Sequence, residues 1–192
     1  MSKIILASGS PRRKELLGKL QIPFDVEVSG YREDNNLKLD PSELAEALSA
    51  GKAEAVAERH KDEDAIIIGA DTFVVLNGKI LGKPHTPERA RKMVKEMSGK
   101  AHSVITGFTI IHAKSGKKIS KAVESKVYFR KLTDGEIDAY VKTGEPLDKA
   151  GAYAIQEAGS VLIEKTEGDY TNIVGLPLPA LIEELKNFGV NL

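Results

Sequence analysis

Residues 6–13, LASGSPRR, restrict the fold of this chain more than any other stretch. Lys3 to Ala7 reads as a short strand, because Ile4, Ile5 and Leu6 form an apolar run with β-branched members. Ser8-Gly9 is turn chemistry. Ser10 then offers an N-cap oxygen, and Pro11 occupies the first helical position, where its missing N–H costs nothing. Leu16, Leu17 and Leu20 follow at helical spacing. A strand that turns directly into a helix N-terminus points to an α/β fold. It also presents backbone N–H groups and the positive end of the helix dipole, which together suit an anion.

Arg12 and Arg13 sharpen that reading. A cation in the first helical turn opposes the dipole and costs up to ~1 kcal/mol. Two guanidiniums there make sense if a polyanion arrives between them, since arginine grips phosphate in a bidentate fork. The alternative is that both pair with acidic groups elsewhere in the fold. The stretch is not a Walker A loop, because G-x-x-x-x-G-K-[ST] is absent.

The 192 residues suit one compact domain or two closely joined lobes, with a substantial core. Lys+Arg and Asp+Glu number 28 each, so zero net charge gives no global field to recruit nucleic acid or an anionic membrane. No apolar run approaches the ~20 residues of a membrane span. The N-terminus lacks the basic-then-apolar pattern of a signal peptide. The absence of cysteine rules out disulfides and thiolate metal sites. These features lead to an expectation of a cytoplasmic protein.

Further along, Phe24–Val28 alternates apolar and polar residues, the pattern of a strand, and 30–38 is a polar loop. Glu33 and Asp34 lie in that loop as adjacent carboxylates, able to hold Mg²⁺ through oxygen or simply to be solvated. A helix begins at Pro41, with Asp40 and Glu43 forming a capping box. One of its rows reads Leu44, Leu48, Lys52, Val56. Lys52 therefore continues an aliphatic stripe, either snorkelling to the surface or aimed into a charged cleft.

Residues 65–71, AIIIGAD, form a buried strand that ends on an acid, and strand ends are where ligands gather in α/β sheets. Asn77-Gly78 is a hairpin turn. Counting back from it, Leu76 faces Lys79 and Thr72 faces Lys83, which gathers Asp71, Thr72 and Lys83 in one small patch. A strict register puts Asp71 and Lys83 on opposite faces, and a bulge at Gly82 would change this.

A helix follows Thr86-Pro87, with Ala90, Met93, Val94 and Met97 on its buried side. Residues 102–113 and 117–132 form a long hairpin, and Thr133 and Glu136 form a second capping box. The four histidines lack metal-ligand spacing. Residues 144–156, GEPLDKAGAYAIQ, read as a shaped loop running into a strand. Gln156 follows an apolar pair, and its amide either reads a planar ligand edge or satisfies backbone groups. Val161–Glu164 is a strand, 167–170 a turn, and Leu178, Leu181, Ile182 and Leu185 mark the buried face of the last helix.

The motifs LASGSPRRKELL, GADTFVVLNGKILGKP, GEPLDKAGAYAIQ and VGLPL, in this order across nearly the whole chain, resemble the Maf family of nucleoside triphosphate pyrophosphatases. Arg12, Thr72 and Gln156 match the specificity positions of the subgroup acting on dTTP and UTP. The resemblance implies a single domain related to the inosine triphosphatases: an elongated, twisted mixed sheet flanked by helices, with two lobes and a central cleft. It implies hydrolysis to the monophosphate and pyrophosphate with a divalent metal, Mg²⁺ or Mn²⁺, in a cytoplasmic and often dimeric protein. It assigns Asp71 to activating the water. Glu33 then serves as a metal ligand, with Asp71 sharing the ion. Ser8, Ser10, Arg12, Arg13, Lys52 and Lys83 bind the triphosphate. Alternatives within the resemblance are a preference for another base, such as methylated GTP, and a nucleotide-binding regulator of septum formation.

Overall fold

The computed structural model describes residues 2–32 and 38–192. In chain order its elements are β1 (Lys3–Leu6), α1 (Pro11–Gly18), β2 (Asp25–Val26), α2 (Pro41–Ala57), β3 (Ala65–Leu76), β4 (Lys79–Leu81), α3 (Pro87–Met97), β5 (Ala101–His112), β6 (Lys118–Phe129), α4 (Asp134–Lys142), β7 (Ile163–Glu167), α5 (Tyr170–Val174) and α6 (Leu178–Asn187). The strands form one mixed sheet in the order β2-β1-β3-β5-β6-β7, with β4 paired to β3. β1 runs parallel to β2 and β3, whereas β3/β4 and β6/β7 are antiparallel. This is the helix-flanked mixed sheet that the sequence predicts.

The chain divides into two compact units. The first comprises Met1–Asp71, Thr106–Val123 and Gly175–Leu192, and the second Thr72–Ile105 and Glu124–Val174. In the first unit, side chains alternate along β3, so Ala65, Ile67, Gly69 and Asp71 share one face. Ala65 and Ile67 pack there with Ile5, Ala53, Val56 and Ile111. In the second unit, Val74, Val94, Met97, Val104, Phe129, Ile137 and Tyr153 belong to one buried cluster. Each fully buried side chain of this size contributes about 1.5–3 kcal/mol.

The local signals fold as the sequence predicts. Asp40 Oδ1 accepts from the backbone N–H groups of Ser42 (2.8 Å) and Glu43 (3.0 Å), and Glu43 Oε2 accepts from Asp40 N (3.2 Å). Thr133 and Glu136 form the same reciprocal box at α4. Asn77 and Gly78 both have positive φ, as a two-residue hairpin turn requires.

Four expectations change. The strand at 24–28 is only Asp25–Val26. The β3/β4 ladder pairs Leu76 with Lys79 but stops at Val74–Leu81, so its register does not extend to Thr72 and Lys83. Residues 153–156 are not a strand. Gly151 and Ala152 have φ of 69° and 60°, which breaks the extended path, and the chain runs on through a turn into a 3-10 segment, Ala158–Leu162. The following strand therefore starts at Ile163. Finally, 170–174 is a short helix, begun by Asp169 Oδ1 accepting from the N–H and hydroxyl of Thr171, both at 2.7 Å. Among the described residues, no helix is long and apolar enough to cross a membrane.

Candidate active site

Two glycines explain why α2 lies where it does. A Cβ at Gly69 on β3 would stand 2.4 Å from the carbonyl oxygen of Ser49 and 2.9 Å from Ala53 N. A Cβ at Gly107 on β5 would stand 2.2 Å from the carbonyl carbon of Ala45. Ala45, Ser49 and Ala53 recur every fourth residue, so α2 turns a row of small residues to the sheet and presses its backbone against two strands that lack side chains there. A buried hydroxyl chain adds to this contact: Ser49 Oγ pairs with Thr109 Oγ1 (2.7 Å), which pairs with Ser120 Oγ (2.8 Å).

This close approach positions the chemistry. Asp71 is two residues beyond Gly69, on the same face of β3. Lys52 is one residue before Ala53. The Lys52 ammonium donates to Asp71 Oδ1 at 2.5 Å, with both side chains nearly buried. Lys52 is thus turned inward onto Asp71 and does not snorkel to the surface. One residue earlier, Gly51 admits the ring of Tyr31, since a Cβ there would lie 2.3 Å from Cζ.

The arginine corner forms at the same end of the sheet. Leu6 pairs in parallel with Ile68, so Asp71, three residues past Ile68 in the middle of β3, lies beyond the carboxyl end of β1, on the side where the corner leaves that strand. Ser8, itself buried, accepts from Ser10 N (3.2 Å) and from Arg13 Nη1 (3.4 Å). Ser10 caps α1 by accepting from Arg13 N, and Arg13 Nε donates to the carbonyl oxygen of Gly175 at 2.8 Å. Arg13 is thus fixed by backbone and hydroxyl oxygens. Arg12 is half-buried on the same first turn, which carries no acidic residue.

The second unit carries Thr72, Lys83 and Gln156. Thr72 is half-buried on β3, and Lys83 and Gln156 are exposed. The segment holding Lys83 is docked on residues 147–151: His85 N donates to Leu147 O (3.0 Å), and Gly151 N donates to Gly82 O (3.2 Å). Asp148 lies close enough for Lys83 to help lower its pKa, after the larger effect of its hydrogen bond with Lys149. Glu33 lies outside the described residues.

Mg²⁺ uses one or two carboxylates and completes its shell with water and substrate phosphate oxygens. Asp71, on the strand paired with β1 and its arginine-bearing corner, fits that donor set. Among the described residues, no three His, Asp or Glu side chains converge as a ready-made metal cage.

Sequence reasoning did not find Gly69, Gly107 or the Gly175 carbonyl. The small-residue row at 45, 49 and 53 is the one signal that could have pointed to the first two. The sequence reading ended a strand at Asp71, but β3 runs on to Leu76, so the acid sits mid-strand, where β3 passes beyond the end of β1. A mixed α/β sheet with an arginine-bearing β–turn–α corner and a nearly buried Lys–Asp pair on the adjoining strand defines an α/β protein suited to handling phosphate. The family described as "Maf-like protein" matches residues 3–188, and the chain belongs to it. It is 50% identical over 193 residues to a dTTP/UTP pyrophosphatase of Alkaliphilus metalliredigens, covering 100% of both chains. It is 47% identical over 192 residues to the dTTP/UTP pyrophosphatase of Moorella thermoacetica, covering 100% of this chain and 98% of the relative. For the protein of that name from Thermoanaerobacter pseudethanolicus, identity is 49% over 191 residues, covering 99% of each.

Proposed function

We propose that this chain is a nucleoside triphosphate pyrophosphatase that hydrolyses dTTP and UTP, with modified pyrimidine analogues, to the monophosphate and pyrophosphate. The observation that carries this reading is the parallel register of β1 and β3, which puts the Ser8–Arg13 corner and Asp71, with its Lys52 partner, on the same side, beyond the carboxyl end of β1. Full-length relatives named for the same activity support it.

In this reading water attacks the α-phosphorus. The bond from that phosphorus to the bridging oxygen breaks, and pyrophosphate leaves with the oxygen. Asp71 accepts the proton of the attacking water. Lys52 holds the carboxylate in one orientation. Ser8, Ser10, Arg12, Arg13 and Lys83 bind the phosphates and spread the charge that develops on them, where most phosphoryl-transfer catalysis lies. A divalent cation, Mg²⁺ or Mn²⁺, held by Asp71 and Glu33 together with the substrate, would supply further charge neutralisation. Thr72, Arg12 and Gln156 select the base. Zero net charge favours a small nucleotide over nucleic acid as partner.

The test is Asp71→Asn, which keeps the size of the side chain but removes its basicity. Turnover of dTTP and UTP, followed as released pyrophosphate, is expected to fall by about 10²–10⁴-fold, the usual contribution of a general base. Nucleotide binding, measured by calorimetry, should persist. Wild-type turnover in this variant overturns the role of Asp71. A panel of pyrimidine and purine triphosphates in which none is hydrolysed with Mg²⁺ present overturns the activity.

A further inference from the structure

Gln156 sits at the exposed crest of a turn that is tied down at both ends. On the N-terminal side, the Tyr153 hydroxyl pairs with His102 Nε2 at 2.8 Å, and both rings meet Phe129 edge-on with centroids 4.9 Å away. On the C-terminal side, one carboxylate does the work. Glu145 Oε2 accepts from Ala158 N (2.8 Å), and its Oε1 accepts from Gly159 N (3.0 Å) and from the Tyr140 hydroxyl (2.9 Å). The turn also closes on itself. Glu157 N donates to Ala154 O (3.4 Å), and a Cβ at Gly159 would lie 2.7 Å from that same oxygen.

We propose that Glu145 is the positioning residue that sets how Gln156 presents its amide to the nucleotide base. The proposal rests on the reading of Gln156 as a base selector. Two of the three bonds to Glu145 come from backbone N–H groups two and three residues after Gln156, so the carboxylate fixes the path of the chain just beyond the crest. The third, from Tyr140 on α4, fixes the carboxylate. Hydrogen bonds to an ionised acceptor are roughly twice as strong as neutral ones. A half-buried acid also loses hydration, and an apolar residue would pack there without that penalty. What a carboxylate offers is two acceptor oxygens able to bind two consecutive N–H groups. An amide that discriminates bases needs such placement, because its donor and acceptor must meet the base edge within a few tenths of an ångström. Loss of a site hydrogen bond is what separates related substrates strongly.

The experiment compares Glu145→Gln, Gln156→Ala and the double variant. Glu145→Gln keeps shape and one acceptor but turns an NH₂ toward an N–H. kcat and KM are measured for dTTP, UTP, ATP and GTP, with the unfolding midpoint and amide hydrogen exchange at 158 and 159. Glu145→Gln is expected to lower kcat/KM for the pyrimidine nucleotides by about tenfold, the effect of one misplaced hydrogen bond. Purine rates should hold, so the pyrimidine preference narrows by the same factor. Exchange at 158 and 159 should quicken, and adding Glu145→Gln to Gln156→Ala should change the preference no further. A uniform fall for all four nucleotides, or an unchanged preference while Gln156→Ala collapses it, overturns the role of Glu145. An unchanged preference in Gln156→Ala overturns the base-reading role of Gln156 itself, and the proposal with it. Glu145→Asp, which retains two oxygens on a shorter arm, serves the same comparison if Glu145→Gln does not fold.

Discussion

His102 should make this protein measurably less stable as the pH falls below neutrality. Its ring is 3% exposed, edge-on to Phe129 and Tyr153, and no charged group contributes to its shift. Burial alone pushes its pKa down to about 4. In the unfolded chain the ring titrates near 6.5. Between those values the unfolded state binds more protons than the folded state, so stability rises with pH across this window and is lost as pH falls through it. Above about pH 6.5 both states are neutral and the group has no effect. Integrating the two titrations, His102 costs the fold about 2 kcal/mol between pH 7 and pH 5. Other groups titrate in the same range. His60, whose pKa is raised chiefly by its hydrogen bond to Glu27, acts with the opposite sign. A comparison with His102→Asn, which keeps a polar partner for the Tyr153 hydroxyl but does not titrate, cancels those shared contributions. Urea denaturation followed by circular dichroism at pH 7 and pH 5 gives the four free energies. The wild type should lose about 2 kcal/mol more than the variant over that interval. Equal losses in the two proteins would mean that the ring protonates without cost in the folded state, and the argument from burial would fail.

Gly69→Ala should destabilise the fold by about 1–3 kcal/mol or more, because its Cβ would meet the backbone oxygen of Ser49 at 2.4 Å and backbone cannot step aside. Since α2 must lift, the Lys52–Asp71 pair should open, and residual turnover at a temperature where the variant is fully folded should drop. Wild-type activity there would show that the pair does not depend on this contact. Asp40→Ala removes the acceptor for two N–H groups at the start of α2 and should cost about 1 kcal/mol, read as a lower urea midpoint with an unchanged denaturant slope.

Much of this protein was settled within short windows of its sequence. The caps at Ser10, Asp40 and Thr133 and the Asn77-Gly78 turn each depend on hydrogen bonds or backbone angles spanning three residues or so, and they form as the local chemistry dictates. The motifs also carried the family. The strand expected after the loop at 144–156 does not follow directly, because Ala152, Tyr153 and Ala154 are as buried as a strand would make them while the positive φ at Gly151 and Ala152 bends the chain into a turn. Other features belonged to the tertiary structure alone. Lys52 meets Asp71 only because Gly69 and Gly107 let α2 settle onto the sheet, and Arg13 is held by a carbonyl 162 residues away. Glu145 reaches across 14 residues to the turn it fixes. Such contacts follow from which strands pair and in what register. That choice is made by burying the whole apolar surface at once, and no local stretch encodes it.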